Sequence, residues 1–358
     1  MTLEPRLLLG SGPSPVPQRV LDALAQPTIG HLDPQFGAIM DEVAELLRAT
    51  FRTENRVAFP ISGTGSAGMQ AMVDNLIAPG DRVVCGVHGL FGERMADALG
   101  RAGADVVRVE AEWGRALDVQ AIADAVDDGT RAVFVVHGET STGVAQPLDG
   151  LREAAGDALL LIDCVTSLAG HPLDLDAAGA DAAFSGTQKC LNCPPGLAPF
   201  TLNERAAERL ERRSWYFDLE AILGYWKPDG GGRAYHHTAP INMVYALREA
   251  LLIVQEEGLE ARWARHAEAH ESLRAALSEL GFERLAPEGE QLSSLLCVRV
   301  PEGIDEAAVR GRLLTEHGVE VSGGLGPLAG RVWRIGVMGE GARPEAQERL
   351  LTALRAEL

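Results

Sequence analysis

The sequence predicts an α/β fold, in which helices cover a mostly parallel β-sheet, with a smaller α+β C-terminal domain. Two observations carry this prediction. From about residue 40 to 205, short apolar runs alternate with helical stretches, and the runs are apolar on both faces, as parallel strands buried between helices are. From about residue 260 onward, strand-like and helical patterns form a second, shorter series.

The predicted elements follow in chain order. Five strands of the first series share short, apolar composition and lie at 56–59, 81–85, 132–136, 159–162 and 182–184. After a Gly/Pro-rich segment ending near Pro240, helices are predicted at 243–257, 259–280, 306–317 and 344–354, with strands at 295–300 and 332–337. We therefore expect an N-terminal arm (1–20), a large domain (21–258) and a small C-terminal domain (259–358).

Composition excludes several classes of protein. The 358 residues are 46% hydrophobic, which is ample for a full core. A net charge of −19 disfavours a nucleic-acid partner, because binding to phosphates needs cationic groups. No apolar run reaches the roughly 18 residues of a membrane span. Five scattered cysteines do not indicate a disulfide framework, so we expect a cytoplasmic protein with no nucleic-acid or membrane partner.

Lysine is rare in this chain: of its 32 lysines and arginines, only Lys189 and Lys227 are lysines. Arginine can supply a positive charge, but it cannot lose its proton near neutral pH and act as a nucleophilic amine. Lys189 follows an apolar run, whereas Lys227 lies in a polar, glycine-rich segment. The pattern predicts chemistry at Lys189 and a solvated loop at Lys227; a coding bias towards arginine is the alternative.

A glycine-rich loop, Gly63-Thr64-Gly65-Ser66-Ala67-Gly68, lies between a predicted strand and the helical run 69–76. It matches the dinucleotide fingerprint, but the second strand ends in 85–88 without the acidic residue that would bind a ribose. N–H groups at a helix N-terminus, together with the hydroxyls of Thr64 and Ser66, suit any phosphate. We predict a phosphate-bearing cofactor, with a plain tight turn as the alternative.

Two further motifs end strands of the predicted sheet. Asp163 closes an apolar strand, where a carboxylate needs a cation or several donors, or else serves as a cap. The segment 137–143, His-Gly-Glu-Thr-Ser-Thr-Gly, either orients a bound ring or shapes a turn. Carboxyl ends of parallel strands share one edge, so we expect both motifs near Lys189 and the glycine-rich loop.

Candidate metal ligands are few. Cys190 and Cys193 form a C-x-x-C motif without a second pair, which disfavours structural zinc. His266 and His270 are spaced i, i+4 on a charged helix without a third ligand nearby, and we expect them on a solvated face. The sequence therefore predicts no metal site.

Asp163 is followed 26 residues later by Lys189, with the phosphate loop upstream. Together with 9–14, 61–65, 137–143, 235–238 and 323–326, these motifs resemble the class V aminotransferases, which are fold-type I enzymes of pyridoxal 5′-phosphate. Within that class they resemble the alanine–glyoxylate (serine–pyruvate) aminotransferase family over almost the whole chain. The resemblance implies that the large domain binds the cofactor and that the arm lies over the active site.

The resemblance also implies roles for individual residues. Lys189 would hold the cofactor as a Schiff base and carry a proton, and Asp163 would pair with the pyridine nitrogen. The implied cofactor-binding residues are Thr64, Gly65, Ser66, Phe91, Thr140, Asp163, Val165, Gln188, Lys189 and, from the partner subunit of a homodimer, Tyr235 and Thr238. Phe91 stands where the family usually has tryptophan, and Ser66 where liver-type enzymes have histidine, which leaves cofactor affinity and substrate preference open.

On the substrate side, Arg334 is expected to bind the substrate carboxylate, with Ser167 and Gly12 beside it. Without the resemblance, Arg334 would be an edge-strand charge facing water. The expected reaction moves the amino group of alanine or serine to glyoxylate or pyruvate by ping-pong kinetics. Three alternatives stay open: a phosphonate or pyridoxamine transaminase, a non-catalytic binding protein, and a cysteine desulfurase-like lyase. The lyase is disfavoured by Gln188, since lyases typically place histidine there.

Overall fold

The computed structural model describes residues 4–226 and 232–358. Lys227, predicted to lie in a solvated loop, falls outside these residues, as do the first three residues of the predicted arm. Within the described ranges, no helix is long and apolar enough to cross a membrane.

The strands, numbered in chain order, are β1 (Leu7–Leu8), β2 (Val57–Ser62), β3 (Arg82–Val87), β4 (Asp105–Glu110), β5 (Thr130–Val136), β6 (Gly138–Glu139), β7 (Val144–Ala145), β8 (Leu159–Asp163), β9 (Ala182–Phe184), β10 (Leu197–Leu202), β11 (Glu283–Arg284), β12 (Leu295–Arg299), β13 (Val319–Glu320), β14 (Ser322–Gly323) and β15 (Val332–Gly336).

The α-helices, numbered likewise, are α1 (Gln18–Leu24), α2 (Pro34–Phe51), α3 (Gly65–Leu76), α4 (Leu90–Arg101), α5 (Val119–Ala125), α6 (Leu151–Ala155), α7 (Glu204–Ala207), α8 (Leu219–Tyr225), α9 (Ile241–Glu257), α10 (Leu259–Glu279), α11 (Glu306–His317) and α12 (Pro344–Glu357). Two short 3-10 helices lie at Gly326–Leu328 and Gly339–Ala342.

The main sheet has seven strands in the order β2-β10-β9-β8-β5-β3-β4. Strands β4, β3, β5, β8 and β9 pair in parallel, whereas β10 is antiparallel to both of its neighbours. The α/β fold with a mostly parallel sheet is therefore confirmed. Because β2, β5, β8 and β9 run in one direction, the residues that follow them meet at one edge of the sheet.

The sequence missed two strands of this sheet. Strand β4 lies at its edge and is mostly exposed, so it lacks the double-sided apolar pattern of its neighbours. Strand β10 contains Pro199, and proline usually argues against a strand inside a sheet. Here Pro199 lies opposite Pro60 of β2, and its carbonyl oxygen accepts a hydrogen bond from the Ser185 N–H at 2.8 Å.

A second, antiparallel sheet has the order β11-β12-β15-β14, and α10, α11 and α12 pack beside it. The N-terminal segment joins this part of the molecule, because β1 pairs in parallel with β13 and the Gly336 N–H donates to the Leu9 carbonyl oxygen at 2.9 Å. One core cluster runs from Val20 to Leu259, and another combines Leu9 with residues 269–354. The predicted domain boundaries at 20 and 258 remain a prediction.

Helix α10 corrects the expectation for its two histidines. His266 is fully buried and His270 is 3% exposed, so the predicted solvated face is wrong. His266 lies on a face with Leu259, Leu273 and Leu277, which are also buried and follow one another at spacings of seven, seven and four residues with His266 between the first two. Burial lowers the pKa of His266 to about 3, so its neutral ring accepts the Gly339 N–H at 2.9 Å.

Candidate active site

Asp163 is the last residue of β8, and its side chain is buried at 5% exposure. One carboxylate oxygen, Oδ1, accepts a hydrogen bond from the Val165 N–H at 2.8 Å. Burial raises the pKa of Asp163 to about 7, against the opposing effect of this N–H. Among the described residues the second oxygen has no hydrogen-bond partner, so the carboxylate is free to pair with a cationic ligand atom.

Lys189 lies in the turn that follows β9, and it is 7% exposed. Its side chain passes directly over Gly12, where an added Cβ would lie 2.8 Å from the lysine Cδ. Its amine donates a hydrogen bond to the Ser11 carbonyl oxygen. Burial, reinforced by the positive charge of Arg334, lowers the pKa of Lys189 to about 8. About a tenth of the amine is therefore uncharged at pH 7, far more than for an ordinary lysine, and the uncharged form is the one that acts as a nucleophile.

The glycine-rich loop lies beside Asp163. Helix α3 begins at Gly65, and its N-cap residue Thr64 makes no side-chain capping bond. An added Cβ on Gly65 would lie 3.1 Å from Cγ2 of Val165, so the loop packs against the segment after β8. Thr64 and Ser66 are exposed, and the first N–H groups of the helix suit a phosphate.

Gln188 adds a polar group without a partner. Its amide oxygen is buried and satisfied by nothing in the described chain, while its side chain packs over Gly186. Its backbone carbonyl is occupied, because it accepts the Ser14 N–H at 2.9 Å. An unsatisfied buried acceptor costs about 1–3 kcal/mol, which a ligand that donates a hydrogen bond would relieve. An unpartnered amide, a free helix N-terminus and a half-satisfied buried carboxylate together fit a phosphate-bearing pyridine.

Arg334 lies in β15, between β12 and β14, and is 6% exposed. It is therefore not an edge-strand charge facing water. Its Nε donates to the Gly323 carbonyl oxygen at 2.8 Å, and Nη1 donates weakly to the Thr140 carbonyl oxygen at 3.4 Å. Burial lowers the pKa of Arg334 below its usual range. No carboxylate of the described residues pairs with it, so the guanidinium is available to an anionic ligand.

The residues 137–143 and 163–167 are joined by hydroxyl groups. Thr140 and Thr166 share a hydrogen bond between their side chains. The Ser167 hydroxyl lies 2.9 Å from His137 Nδ1, and both side chains are buried. Burial lowers the pKa of His137 to about 3, so this ring is neutral. The predicted ring-orienting motif thus lies against the segment that carries Asp163.

Tyr235 and Thr238 lie on the surface of the chain and touch each other, with their side-chain oxygens 3.3 Å apart. In the described residues neither side chain hydrogen-bonds to the glycine-rich loop or to Gln188. Their neighbour His237 does reach the end of β2, where its Nε2 lies 3.0 Å from the Ser62 hydroxyl. Within the described part of this chain, Tyr235 and Thr238 therefore make no contribution to the glycine-rich loop.

Cys190 and Cys193 are buried thiols, like the other three cysteines. One cluster with metal-ligand spacing occurs among the described residues, formed by Glu316, His317 and Glu357. It lies on the small sheet's helices, and the Glu357 carboxylate is already paired with the cationic side chain of Arg312.

The sequence missed two positioning groups. Glu139 is fully buried and hydrogen-bonds to the start of α4. Arg262 of α10 is 1% exposed and donates to the Cys190 carbonyl oxygen at 2.6 Å and to Asn192 Oδ1 at 3.2 Å, so it supports the turn that carries Lys189. The apolar spacing of Leu259, Leu273 and Leu277 was the signal that this face of α10 is buried.

Comparison with known proteins identifies the family of this chain. The family model for class V aminotransferases matches residues 6–330. The (S)-ureidoglycine–glyoxylate transaminase of Bacillus subtilis is 38% identical, with 99% of this chain and 90% of that protein covered. The alanine–glyoxylate aminotransferase of Oryctolagus cuniculus is 37% identical, with 99% and 92% covered.

Among solved structures, an alanine–glyoxylate aminotransferase from Nostoc sp. is 45% identical. It superimposes with a TM-score of 0.95, covering 100% of this chain and 96% of that one. The match extends over the main sheet, the second sheet and the segment that carries Lys189, so the protein belongs to the class V aminotransferase family and has the fold-type I architecture.

Proposed function

We propose that this aminotransferase uses pyridoxal 5′-phosphate, bound covalently to Lys189, to move the amino group of a small amino acid to glyoxylate. One observation carries the proposal. The amine of Lys189 is buried, lacks a carboxylate partner and has its pKa lowered to about 8 beside the equally buried Asp163 and Arg334. Strongly shifted groups gathered in one cleft are typical of catalytic sites.

The cofactor would be held by the edge of the main sheet. Thr64, Gly65 and Ser66 would bind its phosphate at the N-terminus of α3, and Gln188 would lie beside them. Asp163 would pair with the ring nitrogen and keep it protonated. When bound, the cofactor supplies an electron sink for the substrate α-carbon.

The remaining steps belong to the chain's own residues. Arg334 would bind the substrate carboxylate through the N–H groups that its two backbone contacts leave free. Lys189, once released from the cofactor, would carry the proton on the substrate side, next to Gly12 and Ser167. The burial of Asp163, Lys189 and Arg334 limits the access of water to these groups.

The acceptor and the donor have different support. Glyoxylate occurs in the names of both curated relatives, which favours it over pyruvate as acceptor. Alanine or serine is our proposed donor, in a ping-pong cycle of two half-reactions. (S)-Ureidoglycine is a second candidate donor, because it occurs in the name of the Bacillus subtilis transaminase, which is 38% identical over almost the whole chain.

A cysteine desulfurase-like reaction has less support. It requires a reactive thiolate, yet all five cysteines are buried. Burial raises the pKa of Cys85, Cys193 and Cys297 to about 12. Thiols held in the protonated form are poor nucleophiles, so transamination is the better interpretation.

We propose a homodimer in which Tyr235 and Thr238 of the partner subunit complete the phosphate site. In support, large side chains lie exposed near this segment, with Tyr235 57% and Trp215 74% accessible. Trp215 also packs on His236, with ring centroids 4.7 Å apart. A cytoplasmic location and the three-part division of the chain at residues 20 and 258 belong to the same proposal.

A spectroscopic experiment tests the reaction. We would add L-alanine to the protein loaded with pyridoxal 5′-phosphate and then add glyoxylate, recording the visible absorbance. Transamination predicts that the yellow band fades with alanine and returns with glyoxylate. A band that stays unchanged with alanine, serine and (S)-ureidoglycine would contradict the proposed donors, and sulfide released from cysteine faster than amino transfer would favour the lyase.

A further inference from the structure

We propose that Glu139 and Arg94 are positioning residues that hold Phe91 in place to stack on the cofactor. Glu139 holds the backbone of Phe91, and Arg94 holds its ring. The inference rests on the proposed function, because it concerns how this chain holds pyridoxal 5′-phosphate. Nothing in the sequence motifs assigned either residue a role.

Glu139 holds the start of α4 by its backbone. Its Oε2 accepts hydrogen bonds from the N–H groups of Phe91 and Gly92, at 3.1 and 3.3 Å. Its Oε1 accepts from the N–H and the hydroxyl of Ser141, at 2.9 and 2.6 Å. Every neighbour is a donor, so the position requires a group that only accepts, which is a carboxylate.

The turn before α4 is closely packed on this carboxylate. An added Cβ at Gly89 would lie 2.4 Å from Cδ of Glu139. The Ser141 hydroxyl also accepts the Leu90 N–H at 2.9 Å. The first turn of α4 therefore has no room to shift, and the Cα of Phe91 is fixed relative to the segment that carries Thr140.

Arg94 restrains the other end of Phe91. It lies one helical turn later, at i+3, where side chains of a helix meet. Its guanidinium carbon is 4.8 Å from the centroid of the Phe91 ring, which is a cation–π arrangement. Arg94 is exposed and forms no ion pair or hydrogen bond within the described ranges, so the ring is its contact.

This restraint suits a half-buried phenylalanine. Phe91 is half-buried and packs against the main core, and a phenyl ring has a smaller stacking area than the tryptophan that the family resemblance leads one to expect. Because Glu139 holds the backbone of Phe91 and the Arg94 guanidinium holds its ring, the side chain loses little conformational freedom when a ligand stacks on it. Pre-ordering of this kind strengthens binding without an additional contact.

The test measures binding of pyridoxal 5′-phosphate to the cofactor-free protein, by visible absorbance and by visible circular dichroism of the bound ring. Arg94→Met keeps the aliphatic stem and removes the charge, Arg94→Lys keeps the charge, and Phe91→Leu removes the aromatic ring. Arg101→Met is the matched control, since Arg101 lies on the same helix and pairs with Asp97 at 2.8 Å.

Arg94→Met is expected to weaken cofactor binding about 2- to 5-fold and to reduce the circular dichroism of the bound ring, with partial recovery in Arg94→Lys. In a Phe91→Leu background, Arg94→Met should have no further effect, because its partner is gone. Glu139→Gln places an N–H group against donors and should weaken binding by about tenfold or more. Arg101→Met should match the wild type.

Equal affinity and equal dichroism in Arg94→Met and wild type would overturn the inference, as would an undiminished effect of Arg94→Met in the Phe91→Leu background. Both results require that wild-type protein binds the cofactor. Failure of the wild type itself to bind pyridoxal 5′-phosphate would instead overturn the proposed function, and the inference with it.

Discussion

Two groups of buried or half-buried charges flank the turn from Lys189 to Asn192, and they differ in their partners. Asp163, Lys189 and Arg334 form no ion pairs with one another or with other described residues. Burial raises the pKa of Asp163 and lowers the pKa of Lys189 and of Arg334, which favours the neutral form of each group. By contrast, Glu257 accepts hydrogen bonds from Arg262 and Arg265 at 2.6 and 2.5 Å.

In the second group, the pKa of the carboxyl group shifts in the direction that favours its charged form. Burial opposes ionisation of Glu257, but hydrogen bonds from Arg265 and the charge of Arg262 lower its pKa to about 2. Removing one partner of a buried pair is destabilising, because the other charge is then left uncompensated, whereas a buried charge without a partner in the fold is a cost that a ligand removes. We therefore propose that the first group is a binding site and that the second supports the turn that carries Lys189.

The largest effect is expected from Lys189→Ala, which should abolish transamination because no other group at this site can supply a primary amine. Removing a buried amine without an ion pair should not lower the free energy of unfolding. Turnover with alanine and glyoxylate, together with urea unfolding, checks both statements. Lys227→Ala is the control and should stay active; transamination retained in Lys189→Ala would refute the assignment.

Arg262→Met tests the paired group. It removes the donors to the Cys190 and Ala169 carbonyl oxygens and to Glu257, so we expect a loss of about 3 kcal/mol in the free energy of unfolding. Arg274→Met, on the same helix, breaks a more exposed ion pair with Glu271 and should cost less than about 1 kcal/mol. Equal urea midpoints for the two variants would contradict the structural role of Arg262.

Arg334→Ala should lower kcat/KM for both amino and keto acids by about 100-fold, because each carboxylate would lose a charge-assisted hydrogen-bond pair. Its stability should change little, since no ion pair is broken. Steady-state kinetics and thermal unfolding separate the two effects. The control Arg310→Ala breaks a pair with Glu306 outside the unpaired group, and it should preserve KM more closely than Arg334→Ala does.

The smallest effect concerns pH. A lowered lysine pKa means that the uncharged, reactive amine becomes predominant above about pH 8 instead of near 10.5. The rate at which cofactor-free protein combines with pyridoxal 5′-phosphate should therefore rise to a plateau with a midpoint near pH 8. Stopped-flow absorbance between pH 6 and 10 measures this, and a rate still rising at pH 10 would indicate an ordinary lysine.

The proximity of Asp163, Lys189 and the glycine-rich loop was predictable from the sequence because parallel strands bring their carboxyl ends together, whereas Arg334 was expected only from the family resemblance. Asp163, Lys189 and the glycine-rich loop each follow such a strand, and scarcity singled out the lysine. The supporting group was not predictable in the same way. Arg262 and His266 lie on a helix rich in charged residues. Their burial is explained by the hydrogen bond from Arg262 to the Cys190 carbonyl oxygen and by the one from the Gly339 N–H to His266. The role of Glu139 within the 137–143 motif was not predictable, because two of its partners are the N–H groups of Phe91 and Gly92, which are distant in sequence.

The central claim is that Lys189 is the residue that binds pyridoxal 5′-phosphate. The most direct measurement is to load the protein with the cofactor, reduce it with borohydride, digest it and locate the pyridoxyl group by mass spectrometry. With only two lysines in the chain, the result is unambiguous. The account predicts the label on Lys189 and none on Lys227; a label on Lys227 alone, or on neither lysine, would contradict it.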